Sequence, residues 1–280
     1  MSQYYNVPRT RGLYEKKSKT PFKISRSKLE LSIECPRCFY LDRVLGIGRP
    51  PGFPFNLNSA VDTLFKKEFD MHRNAGTKHP LMENYGVEAV PVAHEDLDDW
   101  RQNFTGIQVH YEPSNFIVFG AIDDLWQNED GEYIVVDYKA TSKSGKIEAL
   151  DQDWHDGYKR QMEIYQWLLR QRGYDVSSTG YFVYANGDTD KDAFDARLEF
   201  DVTLIEYVGN DEWVEQAVLE AKDLLDSETI PQAGRDCDYC KFFNERGKIE
   251  NKTTSNKKAP GKNKEKPKTE DSTPYQETLL

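Results

Sequence analysis

The chain has 280 residues, with 37 Lys and Arg against 48 Asp and Glu, and a net charge of −11 at pH 7. Its 16 Tyr, 14 Phe and 5 Trp exclude a wholly disordered protein, and the acid excess excludes a strong, sequence-independent clamp on nucleic acid. No run reaches the ~18 apolar residues of a membrane span and no signal-peptide-like segment opens the sequence, so a cytoplasmic protein without membrane partners is expected.

Residues 1–24 hold six basic residues and one acid, and they read as a flexible basic arm. One globular domain over 25–245 is expected next, and a disordered, Lys-rich tail over 246–280. The tail carries nine basic and five acidic residues, so the middle of the chain is near −20. Ser25 or Ser27 caps a predicted helix running to about Val44, and Gly46, Gly48 and Pro50-Pro51-Gly52 end it. Asn56 or Asn58 opens a second helix to about Arg73, with Leu57, Val61, Leu64, Phe65 and Phe69 as its buried stripe. A short apolar piece at 87–92, an acidic helix at 95–100 and a strand near 106–110 follow.

Phe116 to Trp126 and Glu132 to Thr141 are two apolar runs joined by Asp130-Gly131, the pattern of a β-hairpin. A helix is predicted from about Trp154 to Arg172, ended by Gly173. Strands are predicted at 179–184 and 194–202, and an amphipathic helix at 211–225.

In the hairpin, side chains alternate faces, which sets Asp137 and Lys139 together and Tyr138 opposite, with Asp123 near them across the ladder. Two carboxylates and a lysine inside a β-rich core are costly without a function. Oxygen ligands of this kind suit a hard divalent cation, Mg2+ or Mn2+, and metal-assisted phosphodiester hydrolysis. Asp123 and Asp137 would hold the ion, with the Tyr138 carbonyl as a further ligand, while Lys139 positions water or stabilises the transition state. Asp124 is an alternative ligand that points to the other strand face and reads as a solvated or supporting acid.

Gly120-x-x-Asp123 followed by Asp137-x-Lys139 resembles the active site of the PD-(D/E)XK nuclease superfamily. Gln161-x-x-x-Tyr165 resembles a motif of its RecB-like branch. The ordered set, with cysteines at both ends, is similar to the iron–sulfur nucleases of that branch, including the AddB nuclease domain and CRISPR-associated adaptation exonucleases. The resemblance implies an α/β fold with a mixed central sheet flanked by helices. It implies that Gln161 touches DNA or metal-bound water and that Tyr165 stacks or hydrogen-bonds beside it. Relatives carry a metal-binding histidine on the second helix, where this chain has Asp62, itself a suitable oxygen ligand. Glu68 is a rival for that role, and His72 is expected to be exposed.

Cys35-x-x-Cys38 and Cys237-x-x-Cys240 are the only cysteines, and in a reducing compartment paired spacing of this kind suggests a metal site. Four thiolates fit tetrahedral Zn2+ directly. The resemblance implies a 4Fe–4S cluster instead, although its members commonly divide the ligands one and three rather than two and two. The cysteines would pin the N-terminal helix to the C-terminal segment. The expected function is metal-dependent cleavage of DNA, as an exonuclease on single strands or duplex ends, in repair, recombination or defence, with a helicase or similar protein as partner. The alternatives are a nuclease-fold binding module without activity and a nuclease acting on RNA.

Overall fold

The computed structural model describes residues 8–52 and 54–255. It divides into two compact units, Met1–Cys237 and Asp238–Leu280. In the first unit the chain runs β1 (Phe22–Ser25), α1 (Arg26–Glu34), α2 (Pro36–Arg43), α3 (Asn56–Ala75), α4 (Pro80–Asn84), β2 (Ala89–Pro91) and α5 (Leu97–Trp100). It continues through β3 (Ile107–Tyr111), β4 (Phe116–Gly120), β5 (Asp124–Asn128), β6 (Tyr133–Thr141), α6 (Asp156–Gln171), β7 (Thr179–Gly187), β8 (Phe200–Val208) and α7 (Val214–Asp226).

The strands form two sheets. One has the order β1-β4-β3 and the other β2-β5-β6-β7-β8. Each is mixed: β1 runs parallel to β4 and β6 parallel to β7, and the other neighbours are antiparallel. With helices packed on these sheets, the α/β architecture expected from the sequence is present. α6 packs against strands of both sheets, which is why it is buried almost continuously from Gln161 to Leu169. The opposite face of the larger sheet meets α3, where Phe65 and Phe69 join Trp126, Ile134, Val136, Tyr138 and Val183 in one apolar core. β6 serves both faces, so it is buried over Ile134–Tyr138 without the alternation of a half-exposed strand.

The predicted hairpin is divided. Phe116–Gly120 pairs in the smaller sheet, the chain bends through residues 121–123, and Asp124 begins the strand that pairs antiparallel with β6. Asp123 therefore lies on the crossing between sheets and not within a strand. The helix predicted from 25 to 44 is also two helices. Pro36 disfavours helical geometry at Cys35, which is extended at φ −156° and ψ 95°, and α2 restarts with Pro36 in its first turn.

On α3 only Phe65 and Phe69 are fully buried; Leu57 and Leu64 are 57% and 62% exposed, so the apolar stripe is narrower than its sequence spacing suggests. The last strand is Phe200–Val208 instead of 194–202, because pairing with β7 extends from Thr179↔Val208 to Gly187↔Phe200, leaving Phe194 on an exposed loop.

Residues 8–24 are not a free arm. Arg9 donates its backbone N–H to Gly46 O (2.9 Å), and Tyr14 donates its own to Arg43 O (2.8 Å). The Tyr14 hydroxyl reaches Asp226 Oδ1 at 2.7 Å, and its ring packs edge-on against Phe22 and Phe116. The second unit contains α8 (Asp238–Ser255), a helix through residues 246–255 where disorder is predicted. Its Arg246–Glu250 pair is of the i,i+4 kind that supports a polar helix. The rest of the predicted tail, 256–280, and the start of the predicted arm, 1–7, lie outside the described residues. Among the described residues no helix is long and apolar enough to cross a membrane.

Candidate active site

Four elements bring the predicted site residues together: α3 carries Asp62, the inter-sheet bend Asp123, β6 Asp137, Tyr138 and Lys139, and α6 Gln161 and Tyr165. Asp123 is fixed at the bend by backbone contacts. Its Oδ2 accepts the Tyr138 N–H at 2.9 Å, and its carbonyl accepts from Arg101 Nε at 3.0 Å. Asp137 is fully buried. Its Oδ1 accepts from Gln161 Nε2 at 2.6 Å, and Oδ2 faces the Lys139 ammonium without completing a hydrogen bond of good geometry.

Lys139 also reaches Gln161 Oε1 at 3.3 Å and sits 4.3 Å above the Tyr158 ring. Gln161 donates to the Tyr165 hydroxyl as well (3.1 Å), so one amide orients a carboxylate, an ammonium and a phenol. As predicted, the Tyr138 side chain is on the opposite face, packed on Phe65 and Phe69.

Burial is the main cause that raises the Asp137 carboxyl to about 6; Lys139 opposes this and Asp123 adds to it. Burial alone would lower Lys139, but the carboxylates of Asp137 and Asp123 outweigh it and raise the ammonium. Asp62 is raised by burial and then by Asp123, the sign that the two acids crowd each other. Lys66, absent from the sequence prediction, offsets this crowding, with its ammonium 2.9 Å from Asp62 and 3.3 Å from Asp123. Its only sequence signal is the i,i+4 spacing from Asp62, which reads as an ordinary helix-surface pair.

Asp124 is neither a ligand to this group nor solvated. It is fully buried and accepts from Arg101 Nη2 (2.8 Å), the Tyr138 hydroxyl (2.7 Å), Trp126 Nε1 (3.2 Å) and Arg73. Arg101 thus holds both Asp124 and the carbonyl of Asp123, making this ion cluster the scaffold of the bend. Glu68 is directed away from the site and pairs with His79 at 2.9 Å. His72 bonds Thr77 at 3.0 Å.

Gly120 has a packing reason to be glycine. A Cβ there would lie 2.5 Å from Tyr165 Cε1. Gly120→Ala is expected to push Tyr165 off Gln161 and lower stability by ~1–3 kcal/mol, the usual cost of overpacking. A double-mutant cycle of thermal melts would check this: Gly120→Ala should cost much less in a Tyr165→Ala background than in the wild type, and equal costs in the two backgrounds would refute the clash.

The cysteines form a second site. Cys38 Sγ and Cys237 Sγ are 3.6 Å apart, and Cys35 Sγ accepts the N–H groups of Gly234 (3.2 Å) and Cys38 (3.5 Å). A Cβ on Gly234 would collide with the Glu34 carbonyl, so glycine permits this approach. With Cys240 in the first turn of α8, the four buried sulfurs lie within 4.8 Å of one another. Burial alone would raise the Cys35 thiol, but the N–H groups of Gly234 and Cys38 and the neighbouring thiols bring it down to about 6. Arg49 Nη2 donates to Cys237 Sγ at 3.4 Å. A group of thiols held in thiolate-favouring surroundings can hold a metal ion or cluster.

No curated protein matches the sequence. Among solved structures, the crystal structure of SSO0001 is similar at 16% identity and a TM-score of 0.37, with 81% of this chain and 86% of that chain covered. Residues 56–244 match the family model of the PD-(D/E)XK nuclease superfamily, a span that takes in Asp62, the bend, β6 and α6. The chain belongs to the PD-(D/E)XK nuclease superfamily.

Proposed function

We propose that the protein is a Mg2+- or Mn2+-dependent deoxyribonuclease of the RecB-like branch, acting from single-stranded or duplex ends. Repair, recombination or defence, beside a helicase or a similar partner in the cytoplasm, is the setting such an enzyme serves. The observation that carries the reading is Asp137 Oδ2, a buried carboxylate oxygen that touches an ammonium yet lacks a proper hydrogen bond, on a carboxyl that also feels the charge of Asp123. A divalent ion on Asp123 and Asp137, with Asp62 as third acid and the Tyr138 carbonyl as a further donor, fits these oxygens. Such an ion supplies Lewis acidity and an acidified water.

The chain's own groups have separate tasks. Gln161 holds the Asp137 carboxylate and the Lys139 ammonium in one plane of contact, and Lys139 offers its positive charge and a proton to the phosphate oxygens or the attacking water. Tyr165 braces Gln161 from the next turn of α6. Purified protein incubated with labelled single-stranded DNA, duplex DNA and RNA should hydrolyse DNA with Mn2+ or Mg2+ and nothing with EDTA. Intact DNA under all conditions would overturn the proposal; cleavage of RNA alone would move it to a ribonuclease.

A second reading, a binding module without cleavage, draws support from Lys66, which holds the free oxygen of Asp123. Asp62 separates the two. Asp62→Ala should raise the metal concentration needed for cleavage about tenfold or more, whereas Asp62→His should retain activity with a shift towards Mn2+. A metal titration of both variants checks this, and wild-type dependence in the alanine variant would remove Asp62 from the ligand set.

For the cysteines, we propose one structural centre on Cys35, Cys38, Cys237 and Cys240. The family resemblance favours 4Fe–4S, and N–H donors to a thiolate sulfur are among the contacts that tune such clusters. The short 3.6 Å approach of Cys38 to Cys237 favours Zn2+, since Zn–S bonds of about 2.3 Å set tetrahedral sulfurs roughly 3.8 Å apart.

A further inference from the structure

Lys66 stands on the two acids that a metal would need. One turn after Asp62 on α3, it bonds Asp62 Oδ1 at 2.9 Å and Asp123 Oδ1 at 3.3 Å. Asp123 Oδ2 already accepts the Tyr138 N–H, so the oxygen that Lys66 holds is the one not engaged by the backbone. The Lys66 side chain is 22% exposed and the carboxylates are 33% and 24% exposed, so the cluster lies at the mouth of the site and not in the core. Lys139 serves Asp137, and Arg101 serves Asp124, Asp70 and the Asp123 carbonyl. Lys66 is therefore the ammonium in contact with the Asp62–Asp123 pair.

A divalent ion binds carboxylate oxygens at roughly 2.0–2.2 Å, far inside the ammonium's distance, and two cations on one oxygen repel. A lysine suits a contact that must be given up: its charge sits at the end of a flexible stem, and it lacks the planar fork by which an arginine grips both oxygens.

Resting on the reading of this site as a divalent-metal centre, we propose that Lys66 is its resident counter-cation. It holds Asp62 and Asp123 together before the metal arrives, and the metal expels it from both, so that Lys66 sets the metal affinity. The exchange is of one cation for another; the ammonium keeps its proton and no bond other than the ionic contacts changes.

The test uses the full-length protein and Mn2+ as the probe. Mn2+ binding is followed by electron paramagnetic resonance, and Lys66 accessibility by amine labelling with mass spectrometry. Labelling of Lys66 should rise severalfold and saturate at the Mn2+ concentration at which binding saturates. Lys66→Met should bind Mn2+ about tenfold more tightly, as expected when a competing charge is removed, and Lys66→Arg should bind no more tightly than wild type. Bound Mn2+ with unchanged labelling of Lys66 would overturn the displacement even if the Met variant failed to fold. Unchanged or weaker binding in a folded Met variant would overturn the control of affinity. If no Mn2+ binding is lost on Asp123→Asn, the metal-centre reading falls, and this inference falls with it.

Discussion

Asp137→Ala and Lys139→Ala should each reduce metal-dependent DNA cleavage by about 10²–10³-fold or more, because on the proposed mechanism the first removes a metal ligand and the second the positive charge that faces the reacting phosphate. The fold must be checked at the same time. Asp137 is fully buried and the Lys139 side chain is only 14% exposed, and removing one member of such a pair leaves the other uncompensated, at a cost of ~3–5 kcal/mol. The double variant Asp137→Asn/Lys139→Met removes both charges and should recover much of that stability without recovering activity. Circular dichroism melts and initial rates of the three variants test the claim together. A variant that cleaves as fast as wild type would show that the site is misassigned.

Replacing any one of Cys35, Cys38, Cys237 and Cys240 by Ser should lower solubility and thermal stability more than it alters the chemistry of cleavage. Joining Cys38 to Cys237 closes a loop of 199 residues. By the chain-entropy account, a crosslink over such a loop is worth about 5 kcal/mol. Anaerobically purified protein should be brown, with broad absorption near ~400 nm, if the centre is iron–sulfur. One zinc per colourless chain would replace the cluster and leave the site standing. Protein free of metal and equally stable would remove it.

Much of the site is legible in the sequence because its motifs are local. Asp137-x-Lys139 needs only the two-residue period of a strand to place both groups on one face, and Gln161 and Tyr165 need only one helical turn. Asp123 sits near Asp137 as expected, yet by another route. The apolar character of 116–126 continues through the bend and conceals it, with Gly120 its one local mark. Of the two readings of Asp124, supporting or solvated, the structure keeps the first and overturns the second: its burial depends on Arg73 and Arg101, which lie earlier in the chain and look like surface charges there. Lys66 is a similar case, since its contact with Asp123 exists only in three dimensions. The break at Cys35 was available in the sequence, because a residue before proline resists the helix. Residues 246–255 show no apolar period, and a helix held by pairs such as Arg246–Glu250 leaves none to find.

The crossing of the chain from one sheet to the other also makes the candidate site a product of tertiary structure. Asp123 is placed by pairings on both sides of it, β4 with β1, where Phe22 lies opposite Phe116, and β5 with β6, where Asp124 lies opposite Val136. Asp137 is aligned in turn by Gln161 of α6, which follows it in the chain. Long-range pairings of this kind are the slow ones to form, so the residues of the candidate site depend for their arrangement on the parts of the fold that local sequence preference alone does not build.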